Sequence, residues 1–303
     1  MEMTNKSDIE VDVSFDEAVP PEQRGTVERS IRTMAEHSAA ARDRTRAAEA
    51  KVAQLATAIN APLVKLIEQD STAVREFKDL LAQHQGAFDS AGMVDADTPT
   101  AIEEAMLALR DIRAAVHAPP YHFEWKWHRL DGSPPSISQT NRALGEARLE
   151  GRCGPLLTGS GPKFVEAHAG FGLVFRPNRD GLLSGDSMRR IVWFFAVGAG
   201  GLGSNATSEG GTECTILENG QLKAHGVHRL WRKRVSVSEF DTGNSGGVIT
   251  DSPLRIQFPM RAGREYTFNV GVWAYADNTS GIGTSATLSG ITGIIPSMTV
   301  DGI

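Results

Sequence analysis

The hydrophobic period of this chain changes once, at Pro119-Pro120, and that change constrains the fold more than any other feature. Upstream, Val27, Ile31, Met34, Ser38, Ala41, Thr45, Ala48, Val52, Leu55 and Ile59 recur by alternate steps of four and three. That is an a/d heptad seam on one helix face. Downstream, segments 121–128 and 265–276 alternate by two, the period of a strand. A Pro-Pro pair cannot continue a helix and favours an extended joint. Composition divides at the same place. Residues 1–118 hold 23 of the 35 alanines and 3 of the 31 glycines, whereas residues 119–303 hold 17 of the 20 aromatics. Alanine favours helix, and aromatics favour pleated, half-buried surfaces. The expected class is therefore α+β in two parts. An Ala-rich helical bundle or coiled-coil hairpin is followed by an antiparallel β-sandwich, jelly-roll-like.

The expected boundaries are an acidic arm over 1–20, a helical bundle or stalk over 21–118, and a Gly- and aromatic-rich β domain over 119–303. Within the arm, residues 9–16 alternate apolar with acidic side chains and read as a strand. It either stays disordered or pairs with a sheet of its own or a neighbouring chain. The seam spans about 33 residues, roughly 50 Å of helix. Its small, polar centre suits close packing of helices rather than an isolated zipper. Asn60-Ala61-Pro62 is expected to break or kink the helix. A second apolar stripe follows with Leu63, Leu66, Ile67, Val74, Phe77, Leu81 and Phe88. Thr98-Pro99 opens a third helix that buries Ile102, Met106, Leu109 and Val116. In the β part, strands are expected over 121–128, 163–176, 189–197, 212–218, 222–238, 253–260, 264–276 and 284–300. Tyr266, Phe268, Val270, Val272, Ala274 and Ala276 share one face.

Several segments invite a chemical reading. The apolar run ending at Val197 is followed by Gly198, Gly200 and Gly203, with Glu218 about 20 residues on. This resembles the phosphate loop of dinucleotide-binding folds. That chemistry needs a helix N-terminus after the glycines, and the glycine-rich stretch up to Gly211 leaves no room for one. It reads as an inter-strand loop. Asn244-Ser245-Gly246-Gly247 resembles the nucleophile loop of trypsin-like proteases, with His168 in the place of the general base and Asp180 or Asp186 as the orienting acid. The spacing from His168 to Ser245 is short and both acids lie in turn-like sequence, so a hairpin turn is the preferred reading. His122, Glu124 and His128 share a strand face, and His225 and His228 lie elsewhere; together they lack the tight spacing of a metal site. The segment 225–234 is basic around Trp231 and reads as an outward strand face with some capacity to grip phosphate or an acidic sugar. Cys153 and Cys214 are expected to be free thiols.

No catalytic, cofactor-binding or metal-binding residue is assigned on this reading. A net charge of −6 without a Lys/Arg run argues against a nucleic-acid binder. The absence of an apolar run of about 18 residues argues against a spanning helix. The acidic N-terminus has no secretory h-region, which places the chain in the cytoplasm or an assembled particle. The expected function is a non-enzymatic structural or interaction protein. Its helices oligomerise or position a β-sandwich head within a homo-oligomer or larger assembly, with a protein or carbohydrate ligand on the β-domain loops. The alternatives are a pore-forming or membrane-acting protein with amphipathic helices, and a serine protease using His168 and Ser245.

Overall fold

The computed structural model describes residues 8–68, 72, 115–154, 163–200, 204–236, 239–251, 254–279 and 284–301. The chain runs β1 (Ile9–Phe15), α1 (Pro21–Glu68), β2 (Ala115–His117), β3 (Phe123–Arg129), β4 (Ile137–Asn141), β5 (Glu146–Cys153), β6 (Lys163–Phe175) and β7 (Gly181–Gly200). It continues with β8 (Asn205–Glu218), β9 (Gln221–Ser236), β10 (Glu239–Asn244), β11 (Ile249–Asp251), β12 (Ile256–Met260), β13 (Tyr266–Thr279) and β14 (Thr284–Asp301). The class is α+β, with a β-rich C-terminal part.

Two antiparallel sheets form. The first has the order β1-β3-β6-β13-β8-β9. The second runs β10-β7-β14-β5-β4; β11 and β12 continue along β7, and β2 pairs with β14. Alternation decides which side chains meet between them. Phe171 and Leu173 of β6, and Phe268, Val270 and Val272 of β13, join Leu149, Ile191, Val197 and Ile291 of the second sheet in one buried cluster. This arrangement is consistent with the expected sandwich. Tyr121 is tied into it by its hydroxyl, which donates to Ile295 O at 2.6 Å. The expected face of β13, from Tyr266 to Ala276, is buried throughout.

The N-terminal strand pairs within its own chain, Ile9 to Phe15 against Arg129 to Phe123 of β3. Asp16 accepts from Ala18 N, and Pro21 then starts α1 at a position where its missing N–H costs nothing. The first part of the heptad seam lies on the outer face of the first sheet. Val27, Ile31, Met34, Ala35 and Ala39 pack on Phe123, Trp125, Trp127 and Val174. Each fully buried large apolar side chain contributes about 1.5–3 kcal/mol, so this is the apolar anchor of the helix. Gly170 and Gly271 let the Trp125 ring lie flat, since a Cβ at either would overlap it.

Three expectations are corrected. The helix does not break at Pro62 but continues to Glu68, because one proline removes a single backbone hydrogen bond and the flanking turns persist. Val116 is not on a helix; it lies in β2 opposite Thr299 of β14, where its branched side chain suits a strand. Strands β4, β5, β10 and β11 were not anticipated. Among the described residues α1 is the sole helix, so no coiled-coil partner is present there. The second stripe beyond Glu68 and the third helix from Thr98 fall outside the described residues.

Candidate functional site: the buried ionic seam under the helix

Strand alternation puts one side chain of every pair in β3, β6, β8 and β13 on the face that α1 covers. Beyond the apolar anchor this face is charged. Trp127, His168 and Trp273 stand opposite one another across β3, β6 and β13. The imidazole stacks on Trp127 at 3.9 Å and 15°, and lies 6.3 Å from Trp273. In the next row Glu166, Tyr275 and Glu209 align, and beyond them Asp277 pairs with Phe164. Glu166, His168, Glu209 and Glu213 are all buried.

Helix α1 supplies the counter-charges. Arg42 donates to Glu209 Oε2 at 3.0 Å and lies 3.7 Å from Glu166 Oε1. Its guanidinium sits 4.0 Å above the Tyr275 ring. Arg46, one turn on, lies 3.6 Å above the Phe164 ring and 3.6 Å from Asp277 Oδ2. Arg129 of β3 reaches up to Asp43 of the helix at 2.9 Å and forks onto Asp131. Glu49 of the helix accepts from Arg232 of β9 at 2.7 Å, and Arg232 also bonds Glu209 at 3.0 Å. The middle of α1 is therefore fastened by paired charges. A buried charge is tolerated only when paired in this way.

His168 and Glu213 form a close buried pair, Nδ1 to Oε1 at 2.6 Å; the other Glu213 oxygen faces His225 Nε2 at 3.3 Å. Burial disfavours the His168 imidazolium, but the charges of Glu213 and Glu166 outweigh it and raise its pKa above the ordinary histidine value. Burial likewise opposes the Glu213 carboxylate, but His168 outweighs it and holds the acid well below the usual range. The small side chains of α1, Ser38, Ala41 and Thr45, leave a cleft of about 400 Å³ over this floor, walled on the far side by β9.

The motifs singled out in the sequence fall as follows. Ser245 lies in the loop after β10, at the edge of the second sheet, and its hydroxyl donates to Gly247 O of the same loop. Asn244 closes that turn by accepting from Gly246 N, and both glycines have positive φ, 69° and 137°. Asp180 accepts from Ala262 N and Asp186 from Ser187 N. Among the described residues His168 bonds no hydroxyl or thiol, so the protease constellation is not brought together. Gly198 and Gly200 are strand residues of β7, and residues 205–211 belong to β8, so most of the stretch expected to be an inter-strand loop is strand. His122 Nδ1 accepts from Val174 N, and His128 faces Glu10 at 3.7 Å. Among the described residues no group of His, Cys, Asp and Glu is placed to hold a metal ion. Both cysteines are unbridged and buried, and burial pushes the Cys214 thiol up to about 12. The basic residues of β9 are engaged: Arg232 and Arg234 face Glu49, and Lys233 faces Asp241.

The ionic seam itself was missed. Glu166 drew notice only as a neighbour of His168, Glu209 lay in the stretch read as a glycine-rich loop, and Glu213 lay in the expected strand 212–218 with no role assigned. The available signals were Trp273 and Tyr275 alternating with Val272 and Ala274, which makes both faces of β13 apolar, and Arg42 and Arg46 at one-turn spacing on an Ala-rich helix. No described helix is long and apolar enough to cross a membrane. Comparison with protein-family models and with curated proteins returned no match.

Proposed function

We propose that the chain is a non-enzymatic assembly protein in which a jelly-roll-like β-sandwich head carries a helix that joins it to a second copy of itself. The carrying observation is the division of α1. Its seam is buried at Val27, Ile31 and Met34, yet Val52, Leu55 and Ile59 on the same seam are 61%, 65% and 75% exposed. The ion pairs of Arg42, Arg46 and Glu49 end where this exposed stripe begins. A large apolar stripe held out at heptad spacing from a fastened helix suits an identical stripe, since a twofold or cyclic partner presents the same residues in return. The uncovered side chains would each gain about 1.5–3 kcal/mol on burial.

Light scattering tests this. The wild-type chain is expected at a multiple of 32.6 kDa, and Leu55→Asp or Val52→Asp at the single-chain mass. Ala47→Asp, exposed and off the seam, should leave the multiple intact. A wild-type chain that scatters as a monomer, or equal masses for all three variants, overturns the reading.

A further inference from the structure

Glu166 is 2% exposed, and three positive or proton-bearing groups surround it: Arg42 Nε, Arg129 Nη1 and His168 Nε2. Each stands 3.7 Å away, beyond hydrogen-bond range. Glu166 Oε2, His168 Nε2 and Ser38 Oγ, all in residues that line the cleft, have no hydrogen-bond partner among the described residues. Trp273, another wall, has an indole N–H in the same condition. Buried polar atoms are nearly always satisfied, and polar groups held just out of range of one another can be bridged by an oxygen that sits beside both.

We infer that the cleft between α1 and β9 is a binding site for a neutral, hydroxyl-rich small molecule, a single sugar residue. Charge selects this class. Glu209 and Glu213 already have basic partners on both oxygens, so the floor attracts neither a further cation nor an anion. What it lacks is a group that donates to Glu166 Oε2 and accepts from His168 Nε2 and Ser38 Oγ, and a hydroxyl does both. The volume of about 400 Å³ falls in the range of small-molecule sites. The exposed Val227 gives an apolar rim against which the C–H face of a sugar ring can pack, with only an edge of the buried Trp273 behind it. The floor is buried while the rim at Thr45, Val227 and Arg229 is exposed, so the site is open to entry. The inference does not depend on self-association.

The test is calorimetric titration of the full chain with glucose, galactose, mannose, N-acetylglucosamine and the methyl glycoside of each, with tryptophan fluorescence followed in parallel. Saturable binding of at least one probe is expected; the methyl glycosides separate a free sugar from a glycan end. Glu166→Gln should weaken it roughly 10- to 100-fold, the loss of a hydrogen bond to a charged acceptor. Val227→Trp, at an exposed rim position that does not challenge folding, should abolish it and carries the test if Glu166→Gln fails to fold. No saturable binding by any probe, or binding unchanged in Val227→Trp, overturns the inference. So does a crystal grown with the best probe that shows only water against Glu166.

Discussion

Replacing Arg42 by methionine isolates the ionic seam from the rest of the helix packing. Methionine keeps most of the aliphatic stem and removes the guanidinium, with its charge, its donors and its place over the Trp273 and Tyr275 rings. The side chain is 14% exposed, so its bond to Glu209 at 3.0 Å is little screened. Breaking a buried pair by removing one partner costs about 3–5 kcal/mol, mostly from the charge left behind. Here the remainder is softened, because Glu209 keeps Arg232 at 3.0 Å and Glu166 keeps Arg129 and His168 at 3.7 Å. The expected cost is therefore near the lower limit, about 3 kcal/mol. For a folded unit of this size that lowers the midpoint of thermal unfolding by roughly 6–12 °C. Arg44→Met, exposed on the same helix, should change stability by no more than about 0.5 kcal/mol. Hydrogen exchange locates the effect: amides around residues 42–49 should lose protection while those over 27–39 keep it. A midpoint shift equal to that of Arg44→Met, or a uniform loss of protection along α1, would show that the arginine is solvated and the helix is held by its apolar anchor alone.

Two further outcomes are expected. The raised His168 pKa contributes stability in full below the unfolded value of 6.5 and loses it as pH rises through the higher folded value. The lowered Glu213 pKa contributes above 4.5 and loses as pH falls toward about 2. The difference in melting temperature between wild type and His168→Gln should thus be widest between pH 4.5 and 6.5 and narrow in alkali; a difference constant into the alkaline range refutes the pairing. Gly210→Ala places a methyl on the Trp231 ring, which is stacked at 5.3 Å on Trp193 and donates to Ser208 Oγ. It should cost about 1–3 kcal/mol and change the near-ultraviolet circular dichroism, whereas an unchanged spectrum would mean the ring moves freely.

The strands were legible where alternation was strong. Glu265 to Ala276 showed both its period and its inner face, and β13 buries the residues that face predicts. Strand β5 was overlooked although Ala147, Leu149, Gly151 and Cys153 alternate with Glu146, Arg148, Glu150 and Arg152. Its charged half obscured a period that pairing with β14 makes decisive. The site was illegible for a different reason. Alternation says which residues share a face, but not what covers it. Glu166 and His168 face a helix whose contacting residues lie more than a hundred positions earlier, and nothing local to β6 distinguishes that cover from water.

The helix shows the same limit from the other side. Its seam keeps one heptad spacing from Val27 to Ile59, so periodicity alone reads a continuous contact surface. The sheet beneath it is not uniform. Aromatic side chains over glycines meet Val27 to Ala39, carboxylates meet Arg42 and Arg46, and no described element covers Val52, Leu55 and Ile59. Removing charge from the middle region should therefore loosen the helix from its own head, whereas adding charge to the last should act only between chains. Leu55→Asp ought to change mass without changing the exchange of residues 42–49, and Arg42→Met should loosen those residues first. Concerted effects of both substitutions on both readouts would mean that α1 docks and associates as one rigid unit. The three regions would then be a feature of composition rather than of energetics.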